Sequence, residues 1–255
     1  MEVILYLIIF YIGSIFGSFF LVVGLRGGKE ESIISPGSYC DKCQMKLKWY
    51  HMIPIFSYVF LKGKCHYCRE KIAPITILIE ILTGILFLSS YLLYGFSLNT
   101  LLMILMSSLL VITIVSDFKY LVILDLPVYI VTLGILVITY FKDGLNSAIL
   151  SIVSGIIVFG VILIIKLLGD KIFKKESLGG GDVKLGIVIG SLLQVKFGLM
   201  SIVISCVITI PFALIFTYLK KEKEVPFGPF LIIGTIITYI FMSPLSELIE
   251  LYLKL

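Results

Sequence analysis

The chain has 255 residues, of which 59% are hydrophobic and only 15% charged, where a soluble domain carries about 25% charged residues. That balance excludes a soluble globular domain, a disordered chain, a coiled coil and a small disulfide-stapled secreted fold. The net charge of +5 matters through where the basic residues sit, and no nucleic-acid partner is expected.

Spans of about 20 apolar residues are the unit to look for, because each must cross hydrocarbon about 30 Å thick. Apolar runs between polar breaks predict spans near residues 2–25, 75–95, 98–116, 126–141, 147–168, 183–195, 197–219 and 228–244. The fold class expected is all-α, a polytopic membrane protein with about eight transmembrane helices. In the first run no basic segment leads the apolar stretch, and Gly13, Ser14, Gly17 and Ser18 suit close helix packing better than cleavage. It reads as a retained span. The sixth, between Asp182 and Lys196, is short enough for a half-length helix.

Orientation follows from Lys and Arg, which short cytoplasmic loops keep. Residues 26–73 hold nine: Arg26, Lys29, Lys42, Lys46, Lys48, Lys62, Lys64, Arg69 and Lys71. Eight spans put Lys119, the group Lys166, Lys171, Lys174, Lys175 and Lys184, and the group Lys220, Lys221 and Lys223 on the same side. Lys142, Lys196 and Lys254 fall opposite. Both termini are then outside and the first large loop is cytoplasmic.

That loop carries Cys40-x2-Cys43 and, after 21 residues, Cys65-x2-Cys68. Two such pairs read as a four-cysteine zinc site, since each pair places two thiolates on one metal, while a reducing cytoplasm disfavours disulfides. Four thiolates leave no open coordination position, so the zinc expected is structural. His51 and His66 read as hydrated loop histidines, and Cys206, alone in an apolar span, as a small buried hydrophobe.

Most carboxylates lie in loops beside basic residues; Glu80, Asp117, Asp125 and Asp182 lie at or near spans. A charge at the centre of a span costs about 2.5–3.5 kcal/mol on insertion scales, so such acids are functional suspects. Asp117 ends the third span, and Asp182 opens the sixth behind Gly179-Gly180-Gly181. The glycines read either as a flexible linker with a dipole-complementing acid, or as backbone that must approach a substrate or helix closely. Gly186 and Gly190, four apart, permit tight packing against a partner helix. Two carboxylates brought together share one proton, giving one general acid and one general base. That pair activates water against a peptide bond, and an aspartic protease at the membrane surface is inferred.

Gly179-Gly180-Gly181-Asp182 is similar to the Gly-x-Gly-Asp motif of membrane aspartyl proteases, and the chain resembles the bacterial type IV prepilin leader peptidases/N-methyltransferases. Gly17-Ser18-Phe19 through Arg26, Ser35 through Cys40, Trp49, Ile53-Pro54, Ser57, Leu61, Gly63-Lys64-Cys65 and Glu80-Ile81-Leu82-Thr83 carry the N-terminal part of the likeness. Pro226-Phe227-Gly228-Pro229-Phe230 resembles the start of the family's last span. Archaeal preflagellin peptidases typically lack the cysteine loop, which favours the bacterial enzyme.

The resemblance implies catalytic Asp117 and Asp182, supported by Gly179, Gly181 and Lys184. Asp125 is the runner-up acid, because the family's usual Ile-Pro-Asp is here Ile123-Leu124-Asp125, with Pro127 after the acid. Glu80 matches a family position of unclear role, or is an interfacial carboxylate paired with Lys71. Three regions are implied: a first transmembrane helix at 1–25, a methyltransferase-associated zinc loop at 26–73 with Cys40, Cys43, Cys65 and Cys68 as ligands, and a peptidase core at 74–255.

Such enzymes remove the short basic leader of type IV pilin-like precursors at the cytoplasmic face of the bacterial cell membrane. Many then methylate the new N-terminus with S-adenosylmethionine. A precursor's charged leader runs into an apolar helix, so its scissile bond lies at the lipid interface. No Gly-rich nucleotide loop marks where the methyl donor sits. A proton- or cation-coupled transporter using the same aspartates is the alternative, and a noncatalytic scaffold a third reading.

Overall fold

Each long apolar run forms a helix, because a helix pairs its own backbone groups where no water can. The computed structural model describes residues 2–220, 225–242 and 244. Among the described residues six helices are long and apolar enough to cross a membrane, and a seventh apolar helix, Gly228–Ile240, is shorter. The protein is a multi-pass membrane protein. No strand occurs among the described residues, only two isolated bridges. The chain divides into two compact units, Met1–Tyr120 and Leu121–Leu255.

In the first unit, α1 (Glu2–Gly27) leads into the cysteine loop, which holds a 3-10 turn (Trp49–Met52) and α2 (Phe56–Phe60). The long helices α3 (Ile75–Tyr94) and α4 (Leu98–Tyr120) follow, and α1 packs on both. The contact with α3 is backbone-close: a Cβ on Gly13 would lie 2.8 Å from the Thr83 carbonyl and 2.9 Å from the Gly84 Cα. Buried Ser14 donates its hydroxyl to the Phe10 carbonyl and Thr83 to that of Ile79. Small residues and self-satisfied hydroxyls are how apolar helices pack closely when lipid removes the hydrophobic drive between them.

The second unit holds α5 (Asp125–Asp143), α6 (Leu145–Phe173), α7 (Gly180–Lys220) and α8 (Gly228–Ile240). Gly144, at φ +85°, turns α5 directly into α6. α7 packs on α5, α6 and α8. At its contact with α6, a Cβ on Gly190 would run into the Ser154 carbonyl and the Gly155 Cα. α7 is one run broken at Gln194, whose φ 58° and ψ 179° are not helical. The predicted sixth and seventh spans meet at that break. The segment before it is about 21 Å long at 1.5 Å per residue, well short of a full crossing.

Cys206 is exposed rather than buried, because the covered face of α7 beside it is the small-residue one of Ser201 and Ser205, both fully buried. Lys221, Lys223 and Lys254, used to orient the chain, lie outside the described residues.

Candidate functional site

The four loop cysteines converge: their sulfurs all lie within 4.8 Å of one another, and Cys40 Sγ is 3.8 Å from Cys68 Sγ. Four thiolates about 2.3 Å from a tetrahedral zinc sit about 3.8 Å apart, so the donor set fits that ion in chemistry and in size. Two turns of identical design hold them. The Cys40 N–H donates to the Met45 carbonyl and the Gln44 N–H to the Cys40 carbonyl; the Cys65 N–H donates to Glu70 and the Arg69 N–H to Cys65. Gln44 (φ 58°) and Arg69 (φ 60°) are left-handed at the same step, which turns each chain back beneath its sulfurs.

Hydrogen bonding from the Cys68 backbone, then from that of Tyr67, holds the Cys65 thiol down to about 7. Cys68, despite a backbone bond from Glu70, is pushed up to about 12 by desolvation and its three thiol neighbours.

His51 stacks 4.7 Å from His66, centroid to centroid, and meets Tyr50 and Tyr67 edge-on. Neither ring nitrogen of His51 has a hydrogen-bond partner among the described residues, and both are buried. The hydrated histidine expected from the sequence is found only at exposed His66. Burial, then His66 and Lys48, holds the His51 imidazole below its usual range.

Of the membrane-border carboxylates in the first unit, Asp117 is buried (5% exposed) in the last turn of α4, and Glu80 (4%) near the start of α3. Glu80 is not paired with Lys71. Its Oε2 accepts the Ile55 N–H at 2.8 Å, and Ile55 sits at φ 62°, ψ −55°. That conformation costs a β-branched residue about 1–3 kcal/mol, and the N–H it aims at a buried carboxylate offsets the strain. Arg26, at the end of α1, donates to the carbonyls of Ser32, Ile33, Pro36 and Gly37, fastening the start of the loop to the helix.

In the second unit, Asp182 is buried (8%) in the first turn of α7. Two α6 side chains hold the chain leading to it. Lys166 reaches the Glu176 carboxylate at 2.7 Å and the Leu178 carbonyl, and Asp170 accepts from the Ser177 N–H at 2.6 Å. The three glycines then differ in kind. A Cβ on Gly179 would lie 3.1 Å from Asp182 Oδ2, and one on Gly181 2.7 Å from Ile123 Cβ, whereas one on Gly180 meets nothing within 4 Å. Gly181 is closed to a side chain, Gly179 is tight against the Asp182 carboxylate, and the middle position is open. Asp125 opens α5 and is paired to Lys184 at 2.5 Å, with half its side chain (51%) exposed.

Sequence reasoning missed Ile55, Ile123 and the α6 residues Lys166 and Asp170 as supports. Each acts through a contact across sequence separation, and no spacing signals it.

Residues 11–94 match the Bacterial Peptidase A24 N-terminal domain, and residues 103–214 match the Type IV leader peptidase family. A "Prepilin leader peptidase/N-methyltransferase" of Bacillus subtilis is 30% identical over 97% of this chain and 98% of its own length. Its namesake from Vibrio cholerae is 30% identical over 92% of this chain and 96% of its own. The Neisseria gonorrhoeae protein of that name is 32% identical over 80% and 70%. No solved structure matches the chain.

Proposed function

The chain belongs to the prepilin leader peptidase/N-methyltransferase family, and from that premise we propose which of its residues perform the two reactions. It is an enzyme that trims prepilins and methylates the N-terminus so exposed. Nothing in these likenesses supports the transporter reading.

Leader removal is assigned to Asp117 and Asp182. One carboxylate, ionised, takes a proton from water as its oxygen attacks the scissile carbonyl. The other, protonated, donates to the carbonyl oxygen and then exchanges roles so that the leaving amine gains a proton. The observation carrying this assignment is that these two acids are buried at helix ends while Asp125 is half exposed and bound to Lys184. Gly179 leaves room for the Asp182 carboxylate, and Gly181 lets α7 close on Ile123. Lys184, by holding Asp125, fixes the start of α5 against α7. The regional division carried forward is the first helix at 1–25, the zinc loop at 26–73 and the peptidase core at 74–255.

Cys40, Cys43, Cys65 and Cys68 are the proposed zinc ligands. Zinc there supplies a closed structural cross-link, which a loop with two short bridges and little core needs. S-adenosylmethionine is the proposed methyl donor. The substrates proposed are type IV pilin-like precursors in the lipid bilayer, met at the cytoplasmic face of the bacterial cell membrane, where the basic loop would lie.

Incubating the purified protein with a pilin-like precursor, with and without S-adenosylmethionine, and weighing the product N-terminus tests both reactions. A trimmed product whose new N-terminus gains a methyl group only with the donor is expected. An intact precursor in both samples refutes the reading.

A further inference from the structure

The cysteine loop holds a stretch without charge, residues 53–61, between Lys48 on one side and Lys62 and Lys64 on the other. Trp49 and Tyr50 stand at its entrance. Both are exposed, and so are Phe56, Val59 and Phe60, the last to 81%. Contiguous apolar surface of this kind marks an interaction site.

Two contacts fix the depth of the stretch. α1 and α3 run antiparallel, with Gly13 against Gly84 and Gly17 against Glu80. Tyr11 therefore falls level with Leu86, about 16 Å along α3 from Ile75 at 1.5 Å per residue. The Phe56 ring meets the Tyr11 ring edge-on, 5.9 Å between centroids. The Ile55 N–H reaches Glu80, which lies about 7.5 Å along α3. With 20 residues α3 is about 30 Å long, as thick as the hydrocarbon it crosses. Ile55 and Phe56 thus lie below the level at which α3 enters the lipid.

Chain at that depth must satisfy its backbone groups within the protein, and this stretch does. The N–H groups of Phe56, Ser57, Val59, Leu61, Lys62 and Gly63 all donate to carbonyls of residues 53–59. Glu80 takes that of Ile55.

We propose that residues 53–61 form a re-entrant segment, inserted among the lipid acyl chains of the loop-side leaflet, with Glu80 as the residue that anchors it from inside the protein. The segment enters and leaves on one side, because Lys48 and Lys62 stay with the headgroups and Trp49 and Tyr50 mark the boundary. The two cysteine pairs flank it in sequence and their sulfurs meet, which closes its neck. The inference goes beyond the two reactions and needs only that α1 and α3 cross the bilayer.

Trp49 is the chain's one tryptophan, so fluorescence reports on the segment directly. The full chain is reconstituted in phosphatidylcholine vesicles brominated either near the headgroup or near the chain end, and iodide is added to the water. The parent should be quenched more by bromine near the headgroup. In a Trp49→Phe background, the tryptophan of Phe56→Trp should reverse that order. The tryptophan of Phe60→Trp should lose most of its emission in brominated lipid and resist iodide. Free access of iodide to the Phe60→Trp probe overturns the proposal. So does a probe that neither quencher reaches, which means that a second copy or another helix covers the segment. If Phe56→Trp fails to fold, Phe60→Trp at its exposed position decides alone.

Hydrogen exchange in the same vesicles tests the anchor. Glu80→Ala removes the acceptor, and exchange across residues 55–61 should quicken about tenfold. Glu80→Gln still accepts the Ile55 N–H and should stay within about twofold of the parent. Unchanged exchange in Glu80→Ala overturns the anchoring role.

Discussion

The three glycines before Asp182 make the sharpest local test, because the structure assigns them different burdens. An alanine methyl at Gly181 would stand 2.7 Å from Ile123 Cβ, so about 1 Å of separation must be found to reach ordinary carbon contact. Overpacking of that size costs about 1–3 kcal/mol, and a 1 Å displacement of a reacting group costs on the order of 10²-fold in rate. At Gly179 the methyl would lie 3.1 Å from the Asp182 carboxylate oxygen; a shift of a few tenths of an ångström suffices, and a roughly tenfold loss with little change in stability is expected. At Gly180 there is space, and alanine at the helix start should be neutral or stabilising by up to about 1 kcal/mol. Initial rates of leader removal and melting temperatures for the three alanine variants read out this order. A Gly180→Ala as damaged as Gly181→Ala, or a fully active Gly181→Ala, would refute the packing argument.

Other substitutions probe the remaining parts. Asp125→Asn removes a half-exposed ion pair worth about 0–1 kcal/mol, so leader removal should stay within about threefold; a 10³-fold loss would transfer the catalytic role to it. Replacing Cys40 and Cys43 together with Ser should abolish stoichiometric zinc by elemental analysis and make the loop protease-sensitive, and unchanged zinc content would reject the four-thiolate site. Arg26→Lys gives up the planar fork that reaches four carbonyls. Loss of about 1 kcal/mol there predicts roughly fivefold faster hydrogen exchange in residues 32–37, and unaltered exchange would contradict the fastening role.

The helices were legible because membrane thickness sets their length, and the cysteines because metal geometry sets their spacing. Even the break at Gln194 fell where the apolar run gives way to Gln194 and Lys196. Burial was harder to read. The covered face of α7 is marked by the small residues Ser201 and Ser205 rather than by an apolar stripe, and Cys206 was placed on the wrong face. Polar partnerships were harder still. The pairing of Glu80 with the Ile55 N–H spans 25 residues and that of Lys184 with Asp125 spans 59, and both depend on how helices meet. Local pattern instead suggested Lys71 for Glu80, the nearest opposite charge in sequence. For Gly179 and Gly181, the motif marked their importance, and only the backbone geometry separated them from Gly180.

The claim at the centre is that Asp117 and Asp182 do the acid–base work of leader removal. Asparagine keeps the size of each side chain and removes its ability to exchange a proton. The decisive measurement is therefore the initial rate of precursor trimming by Asp117→Asn and by Asp182→Asn, each matched to the parent in membrane yield and melting temperature. A loss of at least about 10³-fold in both is predicted, and trimming that survives in either folded variant removes that residue from the reaction.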